Sequence, residues 1–194
     1  MIDLPALISR FEEHLDLARQ QNLVEPTAFS LATVSREGRP SVRIMLLKGT
    51  DSRGFVFYTN TLSRKGRELG DTPRAAMCFW WGALARQVRV EGSIERVSDA
   101  EADAYFASRP RGSQIGAWAS KQSSALGSRE ELLAAVARIE EQYAGKPVPR
   151  PPHWTGFRVL PDAIEFWYGR ENRLHERLQY TLEGEVWTER ILSP

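Results

Sequence analysis

An antiparallel β-barrel with peripheral α-helices is the architecture this sequence predicts. Three observations point to it. Short runs rich in β-branched and aromatic residues recur along most of the chain. The breaks between them are mostly short turn signals rather than long helical crossovers. No glycine-rich dinucleotide loop or Walker loop supports a doubly wound parallel sheet. The 194 residues suffice for one domain with a sizeable core, so residues 1–194 are read as one unit, with 1–21 as a helix flanking the barrel.

Each element has a local reason. Asp3 followed by Pro5 marks a helix start. Leu4, Leu7, Ile8, Phe11 and Leu15 then keep helical spacing, which predicts an amphipathic helix over about residues 4–21. Strand-like runs follow: AFSLATV, a turn at Arg36, Glu37 and Gly38, SVRIMLLK, a turn between Asp51 and Gly54, FVFYTN, AAMCFWW and QVRVEGSIERV. In the last of these Gln87, Arg89 and Glu91 alternate with Val88 and Val90, the period of a half-buried strand. Ser98 with Glu101 and Ser128 with Glu131 are capping boxes that open two helices, the second ending near Gly145. KPVPRPPHW reads as a connector within the domain. GFRVL, AIEFWYG and a terminal hairpin turning at Glu183 and Gly184 complete the chain. This gives about seven or eight strands and four helices.

Composition narrows the function. The chain has 26 Lys and Arg against 25 Asp and Glu, a net charge of +1, which argues against a nucleic-acid binder. The cations are instead clustered: Arg64, Lys65 and Arg67; Arg86 and Arg89; Arg109 and Arg111; Arg170, Arg173 and Arg177. Such clusters in a neutral whole suit small anionic ligands. The single cysteine, Cys78, permits no internal disulfide and sits in an apolar run that suits an inert buried thiol. No apolar run approaches membrane-spanning length, and the acidic N-terminal segment lacks a signal-peptide pattern. A soluble cytoplasmic protein is expected.

Four segments could carry chemistry. RPRGSQIGAWASKQSS, residues 109–124, combines cations, hydroxyl and amide side chains, two glycines and Trp118. It reads either as an anion site with an aromatic wall or as a solvated loop. Arg43 and Lys48 flank RIMLLK; one of them faces inward toward an anion if the strand is regular, or both are exposed strand-end cations. In TNTLSRKGREL, Ser63 is a candidate N-cap that puts Arg64 and Lys65 in the first helical turn. Cations oppose the helix dipole there, yet with free amides they form a phosphate cradle. In ENRLHERLQY, strand alternation would place Arg173, His175 and Arg177 on one face, either solvated or around a ligand, with the histidine held neutral between two arginines. Trp118 and Trp167 could flank a flat ring. His14 and His153 read as structural, and three histidines and one cysteine show no metal-ligand spacing.

RIMLLKG, VFYTN, SRKGREL, RQVRVEG, YFASRPRGSQIGAWASKQSS, IEFWYG and RLHERLQY together resemble the pyridoxamine 5′-phosphate oxidase family, in the expected order from about Glu25 to Pro194. The resemblance implies an FMN-binding split β-barrel homodimer with the flavin between subunits. It implies FMN contacts from Arg43, Ile44, Met45, Leu46, Leu47, Lys48, Tyr58, Thr59, Arg64, Lys65, Gln87, Gln122, Ser123, Trp167 and Arg177. It implies substrate contacts from Lys48, Tyr105, Arg109, Ser113, Arg173, Leu174 and His175. Lys48, Tyr105, Arg109 and Ser113 would grip the substrate phosphate. Arg173 and His175 would be the catalytic pair at the pyridine ring, and Arg177 would stabilise charge on the reduced flavin. The implied reaction oxidises pyridoxamine or pyridoxine 5′-phosphate to pyridoxal 5′-phosphate with dioxygen, giving hydrogen peroxide. Longer members carry an N-terminal arm over the substrate, whereas this chain begins almost at its first helix. The rival readings are a same-fold oxidase of another ring, such as a phenazine precursor, a non-catalytic flavin or pyridoxal-phosphate carrier, and an RNA-binding barrel. The intact Arg109, Ser113 and RLH set speaks against the first, and the near-zero net charge against the last.

Overall fold

The structure, a computed structural model, describes residues 2–194. Helix α1 (Leu4–Gln20) begins where Asp3 caps it: the Asp3 carboxylate accepts the Ala6 N–H at 2.9 Å, and proline occupies the first turn. Leu7, Ile8, Phe11, Leu15 and Ala18 recur at helical steps and are all buried. Phe11 meets Phe55 and Phe79 edge-on, with ring centroids 4.9 and 4.8 Å apart. Packing of this apolar stripe, more than propensity, fixes the helix on the sheet.

Nine strands form one antiparallel sheet among the described residues. They are β1 (Ala28–Val34), β2 (Pro40–Leu46), β3 (Gly49–Asp51), β4 (Gly54–Asn60), β5 (Arg74–Trp81), β6 (Arg86–Arg96), β7 (Trp154–Tyr168), β8 (Glu176–Glu183) and β9 (Val186–Leu192). The order is β2-β1-β5-β6-β7-β4-β3, with β8 joined to β7 and β9 to β8, and the sheet curls into a half-barrel. The expected fold class stands. The strand count rises because β3 is only three residues long, too short to show a period.

β7 makes the curl possible. It pairs with β4 from Trp154 to Val159 and with β8 from Ala163 to Tyr168, while β6 follows it along the other edge. The change of partner falls at Pro161, beside a register shift between Glu91 and Gly92. Proline donates no ladder hydrogen bond. A Cβ on Gly92 would lie 2.0 Å from the Leu160 carbonyl oxygen, so only glycine fits the bulge. GFRVL and AIEFWYG, expected as two strands, are therefore one strand of 15 residues.

Helices α2 (Arg64–Asp71), α3 (Asp99–Ser108), α4 (Arg111–Ala119) and α5 (Arg129–Gln142) cover the barrel's flank. Ser98 and Ser128 cap α3 and α5, accepting the Glu101 and Glu131 N–H at 3.2 and 3.3 Å. α4 was not anticipated as a helix, because Gly112 and Gly116 lower its propensity. It holds because Ile115 is buried and the Gln114 amide donates to the Phe106 and Ala107 carbonyls at 3.0 and 3.2 Å. Those carbonyls belong to the last turn of α3, where intrahelical donors run out.

Alternation sorts the sheet into two faces. Phe29, Leu31, Phe57, Phe79, Val88 and Phe166 belong to the main core. On the opposite face, strand register lines up Ile44, Ser30, Cys78, Arg89 and Glu165 in one row, and Trp80, Gln87, Trp167 and Arg177 in another. This face is open: Ile44 is 66% and Trp80 56% exposed. Cys78 is thus half-buried on the outer face, not in the core, and burial raises its pKa, which keeps it a poor nucleophile.

Candidate active site

A cavity of about 400 Å³ lies between the ends of β2 and β4, helices α2, α3 and α4, and the start of β7. It brings together Met45, Lys48, Tyr58, Thr59, Lys65, Tyr105, Arg109, Ser113 and Gln122, all anticipated from the sequence. β2 ends at Leu46, so Lys48 lies past the strand and is an exposed cation of the cavity wall. Arg43 is the inward-facing one: it donates to the Leu31 carbonyl, Thr33 and Ser41, and lies 3.4 Å from Glu68.

Ser63 caps α2 as expected, accepting the Gly66 N–H at 3.2 Å. The two cations that follow it diverge. Lys65 is 8% exposed, and its Nζ donates to Thr59 Oγ1 at 3.1 Å and Gln122 Oε1 at 3.0 Å. Burial, then repulsion from Arg43, lowers its pKa to about 8. A buried ammonium with only neutral acceptors is a site for an anion. Arg64 turns out of the cavity, and its Nε donates to Glu68 Oε1 at 2.8 Å. Among the described residues its two Nη groups donate to no protein acceptor.

Glu68 was missed in the sequence, although an acid four residues after Arg64 is an ion-pair signal. It is 5% exposed and accepts from Ser41 at 2.6 Å, from Thr33, and from Arg64. Burial pushes its pKa up, but the Ser41, Thr33 and Arg64 hydrogen bonds and the Arg64 charge outweigh it, leaving about 2 against 4.5 for a free glutamate. A lowered folded-state pKa gives stability that is complete above the unfolded value and lost as pH falls through the folded one. The melting-temperature gap between the parent and Glu68→Gln is expected to be constant above pH 4.5 and to shrink as pH falls toward 2. A gap that holds its size down to about pH 3 contradicts the assignment.

At the other end of the cavity Arg109 caps α3. Its Cζ sits 4.8 Å from the centroid of Trp154 and 5.5 Å from that of Phe106, and its Nη1 is buried without a hydrogen-bond partner. Burial lowers its pKa, with only Tyr105 pulling the other way. Tyr58 and Tyr105 stack beside it at 4.0 Å. Trp154, absent from the anticipated set, is 6% exposed and lines the cavity. As a tryptophan after a proline-rich connector it carried no ligand signal.

The remaining anticipated residues lie elsewhere. Leu47 is packed in the core, and Leu46 ends β2. Ser123, with φ +68°, lines a neighbouring depression. Ile44, Gln87, Trp167 and Arg177 project from the outer sheet face. Arg177 is held by Glu165 at 2.8 and 3.1 Å. Arg173, Leu174 and His175 are not on a strand: residues 171–173 form a single helical turn with φ +61° at Arg173, and β8 starts only at Glu176. The shared strand face expected for Arg173, His175 and Arg177 is therefore corrected to a turn leading into a strand. The His175 ring packs 4.5 Å from Trp167, and its Nδ1 accepts the Arg170 N–H at 3.1 Å. Trp118 serves the fold, donating to the Pro149 carbonyl at 2.7 Å and packing on Tyr143 and His153.

A curled antiparallel sheet with an aromatic, cationic cavity at its flank defines a split-barrel protein. The family model described as pyridoxamine 5′-phosphate oxidase matches residues 15–143, and that of the pyridoxine 5′-phosphate oxidase C-terminal dimerisation region matches 154–194. The chain is 60% identical to a pyridoxine/pyridoxamine 5′-phosphate oxidase of Myxococcus xanthus, covering 98% of this chain and 92% of that protein. It is 56% identical to one of Rubrobacter xylanophilus, covering 98% and 88%. PhzG from Burkholderia lata, solved with tetrahydrophenazine-1-carboxylic acid, superposes with a TM-score of 0.92 at 34% identity, over 96% of this chain and 92% of that one. A pyridoxamine 5′-phosphate oxidase-related, FMN binding protein from Nostoc punctiforme shares the fold, with a TM-score of 0.75 at 19% identity over 94% and 95%. The chain belongs to the pyridoxamine 5′-phosphate oxidase family.

Proposed function

We propose that the protein is a soluble, cytoplasmic, FMN-dependent oxidase that converts pyridoxamine or pyridoxine 5′-phosphate to pyridoxal 5′-phosphate, working as a homodimer. The observation that carries this reading is a pair of cations, Lys65 and Arg109, facing one cavity with no carboxylate on either. A reaction between two phosphorylated ring compounds needs two phosphate sites around a common space, and the names of the curated relatives agree with that chemistry.

The residues present fit FMN. Arg43 and Arg64 share one carboxylate, Glu68, and Lys65 has none, so the three cations keep two positive charges for a phosphate dianion. Lys65 would meet the phosphate with its Nζ, and Arg64 with the Nη groups that Glu68 leaves unused. Bound there, FMN would supply the hydride acceptor for the substrate C4′ carbon and pass the electrons to dioxygen, giving hydrogen peroxide. Arg109, Ser113, Tyr105 and Lys48 would hold the substrate phosphate. Gln87, Trp167, Arg177, Arg173 and His175 lie on or beside the outer face, and none of them lines the same chain's cavity. A twofold partner docked on that face would deliver them to the neighbouring cavity, the last two to orient the ring and its C4′ substituent. The dimerisation-region match over 154–194 supports this arrangement.

The purified protein is expected to be yellow, to release FMN on denaturation, and to form hydrogen peroxide with pyridoxine 5′-phosphate in air. A colourless protein that takes up no added FMN would sink the proposal. A flavoprotein inert toward both phosphorylated substrates would favour the carrier reading.

A further inference from the structure

A phosphate-gripping arginine must be held in place without being neutralised. A carboxylate would fix the guanidinium but cancel its charge. An aromatic face fixes it and leaves both the charge and the in-plane N–H donors available. Arg109 is held in the second way, over Trp154, with a buried Nη1 that no protein atom satisfies.

Trp154 is itself built into a rigid support. Its backbone N–H donates to the Pro151 carbonyl at 3.0 Å, and its own carbonyl accepts from Arg150 Nη1 at 2.8 Å. Arg150 also pairs with Asp99 and Asp103 of α3, at 2.7 and 2.5 Å. The helix that ends at Arg109 is thus clamped to the residue whose ring receives Arg109. The indole also lies parallel to Tyr58 and Tyr105, at interplanar angles of 10° and 7°, so it shares the plane of the stack those two rings form.

We propose that Trp154 is a positioning residue for the oxidase reaction, presenting Arg109, uncompensated, to the phosphate of the substrate. This rests on the oxidase reading above. Trp154 acts through Arg109, and so belongs to specificity for phosphorylated over unphosphorylated substrates.

The test is a double-mutant cycle on the FMN-loaded enzyme. Trp154→Leu is expected to raise KM for pyridoxine 5′-phosphate about tenfold, with the loss falling on KM rather than kcat and with flavin content retained. Trp154→Phe, which keeps an aromatic face, should restore most of the affinity. In an Arg109→Ala background the same leucine substitution should add almost nothing, because the group it acts through is gone. An unchanged KM in Trp154→Leu, or an equal rise with Arg109 absent, overturns the proposal. If the leucine variant does not fold, the phenylalanine variant enters the cycle, with about a threefold rise that must vanish without Arg109. A parent enzyme that turns over no pyridoxine 5′-phosphate overturns the oxidase reading, and this inference with it. Turnover by the parent without the Trp154 effect overturns this inference alone.

Discussion

Chains carrying Lys65→Met and chains carrying Arg177→Ala, each inactive alone, are expected to regain activity when combined in one dimer. Lys65 lines the cavity, whereas Arg177 stands on the outer sheet face beside Trp167. Arg177 is not among the residues that line the cavity of its own chain. In a twofold dimer with composite sites, a mixed pair holds one doubly substituted site and one wholly native site. Purified mixed dimers should therefore show about half the activity of the parent dimer. Mixed dimers as inactive as either homodimer would mean that each site is built within one chain, and the docking of the outer face would need another explanation.

Lys65→Met alone should have two opposite effects. FMN affinity should fall about tenfold to a hundredfold, the range for losing one charge-assisted hydrogen bond, and the protein should purify nearly colourless. The flavin-free protein should at the same time become more stable, because a buried ammonium with no counter-charge has been replaced by an apolar chain. The pH dependence separates these effects from general damage. The Lys65 pKa is lowered from 10.5 to about 8, so between those values the unfolded chain binds more protons than the folded one. Stability of the flavin-free parent relative to Lys65→Met should rise with pH across that window. Equal melting temperatures from pH 7 to 10 would refute the buried, uncompensated state of this lysine.

What the sequence disclosed depended on how local the cause was. α1, the Ser63 cap, the Ser98 and Ser128 caps and the hairpin at Gly184 each rest on a few neighbouring residues, and each could be read directly. α4 could not, because its stability comes from Ile115 and from Gln114 closing the end of α3, contacts invisible in a glycine-containing string. The cavity was legible as a set of cations but not as a geometry. Nothing in RLHERLQY reveals that Arg173 takes a positive φ, or that the strand begins only at Glu176. Trp154 was missed because the arginine it holds, Arg109, is distant in the sequence; Glu68 was missed although Arg64 is near, because its other partners, Arg43, Ser41 and Thr33, are not.

The bulge at Gly92 and Pro161 also sets the parity of β7. Before it, odd-numbered residues face the core, as Phe157 and Val159 do; after it, even-numbered ones do, as Ile164 and Phe166 show. Without that half-step Trp167 would point into the core and Phe166 into solvent. The two tryptophans of this strand, Trp154 and Trp167, stand thirteen residues apart, roughly 40 Å along an extended chain. If the dimer is assembled as proposed, one continuous strand serves two chambers, furnishing its own with Trp154 and its neighbour's with Trp167. The irregularity is then what allows one ribbon of backbone to work in two rooms at once.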